Sequence, residues 1–151
     1  MPPRCHLRPA TLADLDALQT LEALFPVDRM SRRHLRWALT RARATFLIAE
    51  IAGRVVGYGL NFYRAGCQHG RVYSIITHPD YRGLGIATQL LTALEAEARN
   101  HGYARMQLEV QTSNTAAIRF YEKHGYTACG LKPGYYDNGS DALKMGKTLQ
   151  P

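Results

Sequence analysis

The chain has 151 residues, of which 46% are hydrophobic and 21% are charged. This is the size and composition of one globular domain with a single core. No apolar run approaches the roughly 20 residues of a membrane-spanning helix, and the first residues lack the apolar stretch of a secretory signal. We therefore expect one domain over residues 1–151 that is cytoplasmic and has no membrane partner.

Charge and residue spacing restrict the kinds of site. The net charge of +7 suits either a nucleic-acid-binding module or a site for phosphate groups. Arginines concentrate between residues 29 and 43, which indicates a solvated basic helix face, with a surface for the ribosome or an acidic substrate as the alternative. The three cysteines and six histidines lack metal-ligand spacing, so no metal site is predicted.

The first half of the chain predicts a strand, two helices and a hairpin. Thr11 followed by Asp14 resembles a capping box before a leucine stripe, and Ser31 is a typical N-cap of a second, basic helix. The predicted elements are a strand near 6–8, a helix over 12–24, a helix over 32–41, and strands at 45–51 and 55–63.

The second half alternates strands with helices. Its predicted elements are a strand at 71–77, a helix over 86–100, a strand at 104–110, a helix after Ser113 or Asn114, and strands near 126–130 and 142–148. Strands divided by helices, with hairpin-linked strands at both ends, predict a mixed sheet covered by helices.

A glycine-containing turn, HPDYRGLGIATQLL at 78–91, connects a predicted strand to a helix. Glycine lets a ligand approach the backbone closely, and the N–H groups at a helix start attract anions. The turn is not a P-loop, because no Lys-Ser or Lys-Thr follows the glycines. It predicts a cradle for a phosphate or pyrophosphate, with a plain structural turn as the alternative.

Three segments carry a family resemblance. RGLGIA at 82–87 resembles the R/Q-x-x-G-x-G/A pyrophosphate loop of GNAT acetyltransferases. LEVQTSNTAAIRFYEKHGY at 108–126 and YYDNGSDALKM at 135–145 are similar to the ribosomal-protein-alanine and N-terminal acetyltransferase branch. The resemblance covers about residues 71–149. It implies the GNAT fold, an α/β (α+β) domain whose mixed, mostly antiparallel sheet has about seven strands and about four flanking helices.

The resemblance also implies acetyl-CoA as the cofactor and assigns residues to it. The backbone at the end of the predicted strand at 71–77 would pair with the pantetheine arm of the cofactor, and the glycine turn would hold its diphosphate. A polar side chain at the start of the helix that follows the strand at 104–110 would form a hydrogen bond to the cofactor. For that side chain, Asn114, a helix N-cap is the alternative role. The implied residues are Ile75, Ile76, Thr77, Arg82, Gly83, Leu84, Gly85, Ile86, Ala87, Thr88 and Asn114.

Two residues match the catalytic positions of the family. Tyr121 matches the general acid that protonates the CoA thiolate, although an aromatic residue at helical spacing is ordinarily a packing residue. Glu109 matches the general base, acting directly or through water, although strand alternation also suits a solvated carboxylate at that position. His78 is a weaker alternative base.

The acceptor side of the site is implied less directly. Tyr135 and Tyr136 match a pair that lines a peptide groove, with simple lid packing as the alternative. Phe25 and Arg29 lie in the stretch FPVDRMSRRHLR at 25–36, which forms a wall of the site in this fold. The leading hypothesis is an N-acetyltransferase for a protein or peptide amine that favours the N-terminal α-amine, with a ribosomal protein as one candidate acceptor. A lysine or small-amine acetyltransferase and a basic ribosome- or RNA-binding module remain alternatives, although the absence of RNA-module motifs argues against nucleic acid. Either a monomer or a homodimer fits the sequence.

Overall fold

The computed structural model describes residues 4–25 and 29–149. In these ranges the chain forms one seven-stranded sheet and four α-helices. The strands are β1 His6–Pro9, β2 Ala44–Ile51, β3 Arg54–Phe62, β4 His69–Thr77, β5 Arg105–Gln111, β6 Thr127–Lys132 and β7 Ala142–Thr148. The helices are α1 Leu15–Glu22, α2 Arg32–Thr40, α3 Ile86–Asn100 and α4 Thr115–Lys123.

The sheet is mixed, in the order β1-β2-β3-β4-β5-β7-β6. Only β4 and β5 pair in parallel, and the other five pairings are antiparallel. The parallel pair needs a crossover connection, which α3 supplies between the two strands. The predicted fold class, a mostly antiparallel mixed sheet with flanking helices, is confirmed.

Hydrophobic side chains pack on both faces of the sheet. On one face the apolar stripe of α3 packs with Val72 and Met106, and α4 lies against the same cluster. On the opposite face α1 and α2 pack against alternate residues of β2 and β3, including Ile48, Tyr58 and Leu60. The predicted stripe of α3 is buried at every position, namely Ile86, Leu90, Leu91, Leu94 and Ala98.

The sheet opens between β4 and β5. These strands pair over only three positions, from His69↔Arg105 to Arg71↔Gln107, and β5 continues along β7 instead. Just beyond the last pair, β4 has one extra residue, because Asn61 pairs with Val72 and Leu60 with Ser74. A bulge bends its strand. The remainder of β4 therefore diverges from β5 and presents an open backbone edge.

The first helix and the strand predicted near 126–130 have other bounds in the structure. The first helix begins at Leu15 rather than Leu12, and it ends at Glu22. Residues Leu12–Asp14 form a 3₁₀ turn closed by the predicted capping box, so the two outer leucines of the stripe, Leu12 and Leu24, are 47% and 45% exposed. Tyr126, expected in a strand, instead precedes β6 and is buried in the core. Ser31 caps α2 as predicted, accepting from the His34 N–H at 3.1 Å.

Candidate active site

The glycine turn leads directly into α3 and borders a cleft of about 230 Å³. Gly83 and Gly85 each have φ of +79°, a conformation that glycine adopts without strain, and Gly85 is the N-cap residue of α3. The first N–H groups of a helix lack partners within the helix and attract anions. The lining consists of Thr77, Tyr81, Arg82, Gly83, Gly85, Ile86, Ala87, Thr88 and Phe120.

This cleft has the properties of an anion-binding site. A Cβ atom added at Gly83 or Gly85 would meet nothing within 4 Å, so a side chain there would fill space that is open to a ligand. The hydroxyl of Thr77 is buried in this cleft without a hydrogen-bond partner among the described residues. Leu84 differs from the other predicted loop residues, because it does not line the cleft and its side chain is 46% exposed.

A larger cleft of about 570 Å³ occupies the opening between β4 and β5. Eight of the residues predicted for cofactor, acceptor or catalysis line it together: Phe25, Arg29, Ile75, Ile76, Glu109, Asn114, Tyr135 and Tyr136. The lining also includes residues that were not predicted, among them Glu22, Arg71 and Ser74. Residues 26–28 of the predicted wall lie outside the described part of the chain. We call this space the acceptor cleft.

Glu109 is held in the acceptor cleft by two cations. Its Oε2 accepts from Arg71 Nε at 3.1 Å and its Oε1 from Lys132 Nζ at 2.9 Å. The glutamate side chain is 10% exposed, so it is not the solvated carboxylate that strand alternation alone suggested. Neither cation was predicted. Arg71 pairs with Gln107, which places Glu109 at a diagonal neighbouring position, but this becomes evident only once the register is known.

The tyrosine pair is connected to this network. Tyr135 Oη accepts from Arg71 Nη2 at 2.5 Å, and Lys132 Nζ lies 5.1 Å from the centre of the Tyr135 ring. The ring of Tyr136 stands edge-on to that of Tyr135, with 5.0 Å between centroids. The Gly134 N–H donates to the Asp141 carboxylate at 2.9 Å and anchors the loop between β6 and β7, which carries both tyrosines. The loop is thereby tied to the acceptor cleft.

Tyr121 lies on α4 among other aromatic rings. Its ring is edge-on to Tyr126 at 5.6 Å and to Phe120 at 5.2 Å between centroids. Burial raises the pKa of the Tyr121 phenol above its usual value, with a smaller contribution from Tyr136. The phenol therefore keeps its proton at neutral pH, as a proton donor must. Tyr121 is not among the lining residues of either cleft.

Asn114 and His78 have observed structural roles. The Oδ1 of Asn114 accepts from the Ala117 N–H at 3.1 Å and caps α4, so the N-cap role is present in a residue that also lines the acceptor cleft. The Nδ1 of His78 accepts from the Asp80 N–H at 3.1 Å within the turn after β4. His78 lines neither cleft, which makes it a poor candidate base.

Glu22 is a second acid in the acceptor cleft that the sequence did not reveal. It lies in the last turn of α1 and is 3% exposed. Its carboxylate accepts hydrogen bonds from the Tyr58 hydroxyl and, at 2.9 Å, from the Met30 N–H. A signal existed, because Glu22 follows Leu15 and Leu18 at the spacing of the buried stripe. An acid at a stripe position indicates a buried polar site.

The matching family model is the acetyltransferase (GNAT) family, which covers residues 12–126. The chain belongs to this family. It is a GNAT N-acetyltransferase, so the prediction of an enzyme is confirmed. The GNAT family uses acetyl-CoA, in agreement with a glycine turn at a helix N-terminus beside an open strand edge.

Relatives and solved structures agree with this assignment. The chain is 44% identical over 103 residues to an uncharacterized N-acetyltransferase of Methanocaldococcus jannaschii, and the match spans 68% of this chain and 65% of that protein. It is 31% identical to an N-alpha-acetyltransferase of Sulfurisphaera tokodaii over 95% of this chain and 93% of the relative. The fold matches the ribosomal-protein-S18-alanine N-acetyltransferase of Escherichia coli with a TM-score of 0.87 and 23% identity, over 98% of this chain and 96% of that one.

The described residues contain neither a membrane-spanning helix nor a cluster of metal-binding side chains. None of the helices in residues 4–25 and 29–149 combines the length and apolar character needed to cross a bilayer. The same ranges contain no group of three or more His, Cys, Asp or Glu side chains placed to hold a metal ion.

Proposed function

We propose that this enzyme transfers acetyl from acetyl-CoA to the free N-terminal α-amine of a protein or peptide, with residues 1–151 acting as one domain. The observation that carries the proposal is the acceptor cleft itself. The open edge of β4 leads from this cleft to the glycine loop, and a tyrosine pair borders its other end. The N-alpha-acetyltransferase relative of S. tokodaii supports the same acceptor class.

The cofactor would be held by the loop and the end of β4. Backbone N–H groups from Gly83 to Thr88, together with Arg82, are suited to the diphosphate, and the free hydroxyl of Thr77 is an additional donor beside it. The open edge at Ile75 and Ile76 offers backbone groups to the amides of the pantetheine arm. When bound, acetyl-CoA supplies a thioester whose carbonyl carbon is the electrophile.

Glu109 is the proposed base for the acceptor amine. A free α-amine has a pKa of about 8 and is mostly protonated at neutral pH, so it must lose a proton before it attacks. Glu109 lines the acceptor cleft and would remove this proton directly or through one water molecule. Arg71 and Lys132 fix both oxygens of its carboxylate and so hold it in one orientation.

Tyr121 is the proposed general acid. The departing thiolate is stabilised when a neighbouring group donates a proton, and the raised pKa of Tyr121 keeps its phenol protonated. Asn114 begins the helix that carries Tyr121 and would also contact the cofactor. The acid and the base would therefore act from adjoining elements, α4 and β5.

The acceptor would lie between two walls. Tyr135 and Tyr136 border the cleft on one side, and Phe25 and Arg29 border it on the other. This arrangement suits an extended peptide whose first residues enter the cleft. A ribosomal protein is one possible source of such an N-terminus, and either a monomer or a homodimer would present the same cleft.

The deciding experiment is acetyl-CoA turnover with a peptide panel, followed by mass spectrometry to locate the acetyl group. Peptides with free N-termini should be acetylated on the α-amine, and the same peptides with blocked N-termini should not. The KM should fall as the acceptor lengthens from one amino acid to a dipeptide and a tripeptide, because a groove contacts the residues that follow the amine. Acetylation on lysine alone, or on small amines in preference to peptides, would overturn the proposed acceptor.

A further inference from the structure

Glu22 is unusual among the acids of the acceptor cleft because it is buried and has no ion-pair partner among the described residues. It is 3% exposed, and among residues 4–25 and 29–149 it forms an ion pair with no basic side chain. Glu109, by contrast, is paired with two cations. A buried charge is ordinarily balanced by a partner of opposite sign. A cationic ligand would supply the partner that Glu22 lacks.

Both carboxylate oxygens of Glu22 accept hydrogen bonds. One oxygen accepts from the Met30 N–H and the other from the Tyr58 hydroxyl. The Met30 N–H can only donate, and the Tyr58 hydroxyl donates to the other oxygen, so neither oxygen has a basic side chain as its partner. Burial, followed by the charge of Glu22, raises the pKa of Tyr58 well above its usual value, so this hydroxyl stays protonated and continues to donate.

A chain of hydroxyl groups extends from Glu22 to β4. Tyr58 Oη and Ser74 Oγ lie 3.2 Å apart. Tyr58 has a single proton and gives it to the carboxylate, which can only accept, so the Ser74 hydroxyl donates to Tyr58. The lone pairs of Ser74 then remain available to accept a hydrogen bond. Ser74 lines the acceptor cleft immediately before Ile75.

We propose that Glu22, Tyr58 and Ser74 form a subsite that binds the acceptor amine in its protonated, ammonium form. Ser74 accepts a hydrogen bond from the ammonium group, and Glu22 supplies the opposing charge at the same wall of the cleft. The subsite selects cationic amines over neutral groups of the same shape. This inference rests on the proposed function, and it assigns binding to Glu22 while proton removal stays with Glu109.

The test compares two peptides that differ only at the N-terminus. One is the best-acetylated peptide of the panel, and the other is its desamino analogue, in which hydrogen replaces the ammonium group. Calorimetric titration of each into the enzyme with CoA bound measures the preference without turnover. We expect the wild type to prefer the ammonium peptide by about tenfold or more, the range of a hydrogen bond to a charged group.

Variants then locate the preference. Glu22→Gln should abolish it and Ser74→Ala should reduce it, while the affinity for the desamino peptide and the KM for acetyl-CoA stay unchanged. Glu97→Gln is the matched control, because Glu97 lies in the last turn of α3 and lines neither cleft. Circular dichroism checks the fold of each variant. If Glu22→Gln fails to fold, Ser74→Ala is the test: a reduced ammonium preference supports the subsite, and an unchanged preference overturns it.

Failure of the subsite and failure of the proposed function give different results. A wild-type enzyme that acetylates α-amines but shows no ammonium preference, or a folded Glu22→Gln variant that keeps it, overturns the subsite alone. A wild-type enzyme that acetylates only lysine overturns the proposed acceptor. The preference for the ammonium group is then measured with a lysine peptide and its norleucine analogue. Loss of this preference in Glu22→Gln supports the subsite, and a preference that remains overturns the subsite.

Discussion

Arg71 donates from Nε to Oε2 of Glu109 at 3.1 Å, at the last paired position before β4 and β5 separate. The same guanidinium donates from Nη2 to the Tyr135 hydroxyl at 2.5 Å. One cation thus connects the proposed base with the loop that borders the peptide groove. The position of Glu109 depends on the opening of the sheet as well as on its own strand.

Replacing Glu109 with glutamine tests the proposed base. We expect Glu109→Gln to lower kcat by about 10²-fold or more, the usual contribution of a general base, and to change the pH dependence of kcat/KM. The measurement is steady-state turnover from pH 6 to about pH 10, a span that covers the amine pKa. Glu97→Gln should behave as the wild type. A Glu109→Gln profile that keeps the wild-type shape would remove Glu109 from proton transfer.

Replacing Tyr121 with phenylalanine tests the proposed acid. Tyr121→Phe should lower kcat by about 10²- to 10⁴-fold and leave the affinity for acetyl-CoA within about twofold, since the ring packing is retained. Because burial raises the pKa of Tyr121 above 10.0, the wild type should lose no activity through ionisation of Tyr121 below that pH. Tyr103→Phe, in the stack with Tyr63, is the control. Equal losses in turnover and cofactor affinity would mean that Tyr121 only packs the site.

A glycine in β3 keeps the edge of β4 in place. A Cβ atom on Gly57 would lie 2.7 Å from the carbonyl oxygen of Ile76, which is too close for β4 to stay where it is. Gly57→Ala should therefore raise the KM for acetyl-CoA and lower the free energy of unfolding by about 1–3 kcal/mol, the cost of overpacking.

The matched control for that variant is another strand glycine. Gly130→Ala places its Cβ at an ordinary 3.7 Å from the Lys144 side chain, so neither the KM nor the stability should change appreciably. Steady-state kinetics and denaturant unfolding measure both quantities. An unchanged KM in a folded Gly57→Ala variant would show that the edge of β4 contributes little to cofactor binding.

Asp14 should make stability depend on acid pH. Its carboxylate accepts two hydrogen bonds from Arg8, at 2.9 Å and 2.8 Å, and the Arg8 hydrogen bond is the main cause that lowers the pKa of Asp14 below its usual 3.8. A lowered folded-state pKa stabilises the fold at pH values above the unfolded pKa, and this stabilisation is lost as the pH falls through the folded value.

Asp14→Asn should therefore lower the free energy of unfolding at neutral pH by about 1–3 kcal/mol. The difference from the wild type should shrink as the pH falls below 3.8. Urea unfolding at several pH values measures it. Asp16→Asn is the control, because that side chain is 86% exposed and an exposed pair contributes little. A difference that stays constant with pH would mean that the Asp14 charge is not involved.

Local chemistry determined much of this protein from the sequence. The glycine turn, the caps at Ser31 and Asn114, and the alternation of β5 each depend on residues close together in the chain, and their predictions agree with the structure. The family resemblance, carried by contiguous motifs, gave the fold and the enzyme class. Of the two predicted catalytic residues, Glu109 lines the acceptor cleft in the structure, whereas Tyr121 is not among the lining residues and packs among aromatic rings.

The tertiary structure alone decided how the acceptor cleft is charged. Arg71, Glu109 and Lys132 come from three different strands, and Glu22 comes from a helix on the face of the sheet opposite α3. Their meeting depends on the register of β4 with β5 and on the single extra residue in β4. A strand's sequence pattern specifies which side chains share a face, but a one-residue shift in pairing changes every neighbour across the sheet. The partners of each charge are therefore fixed by strand pairing, which is a long-range property of the fold.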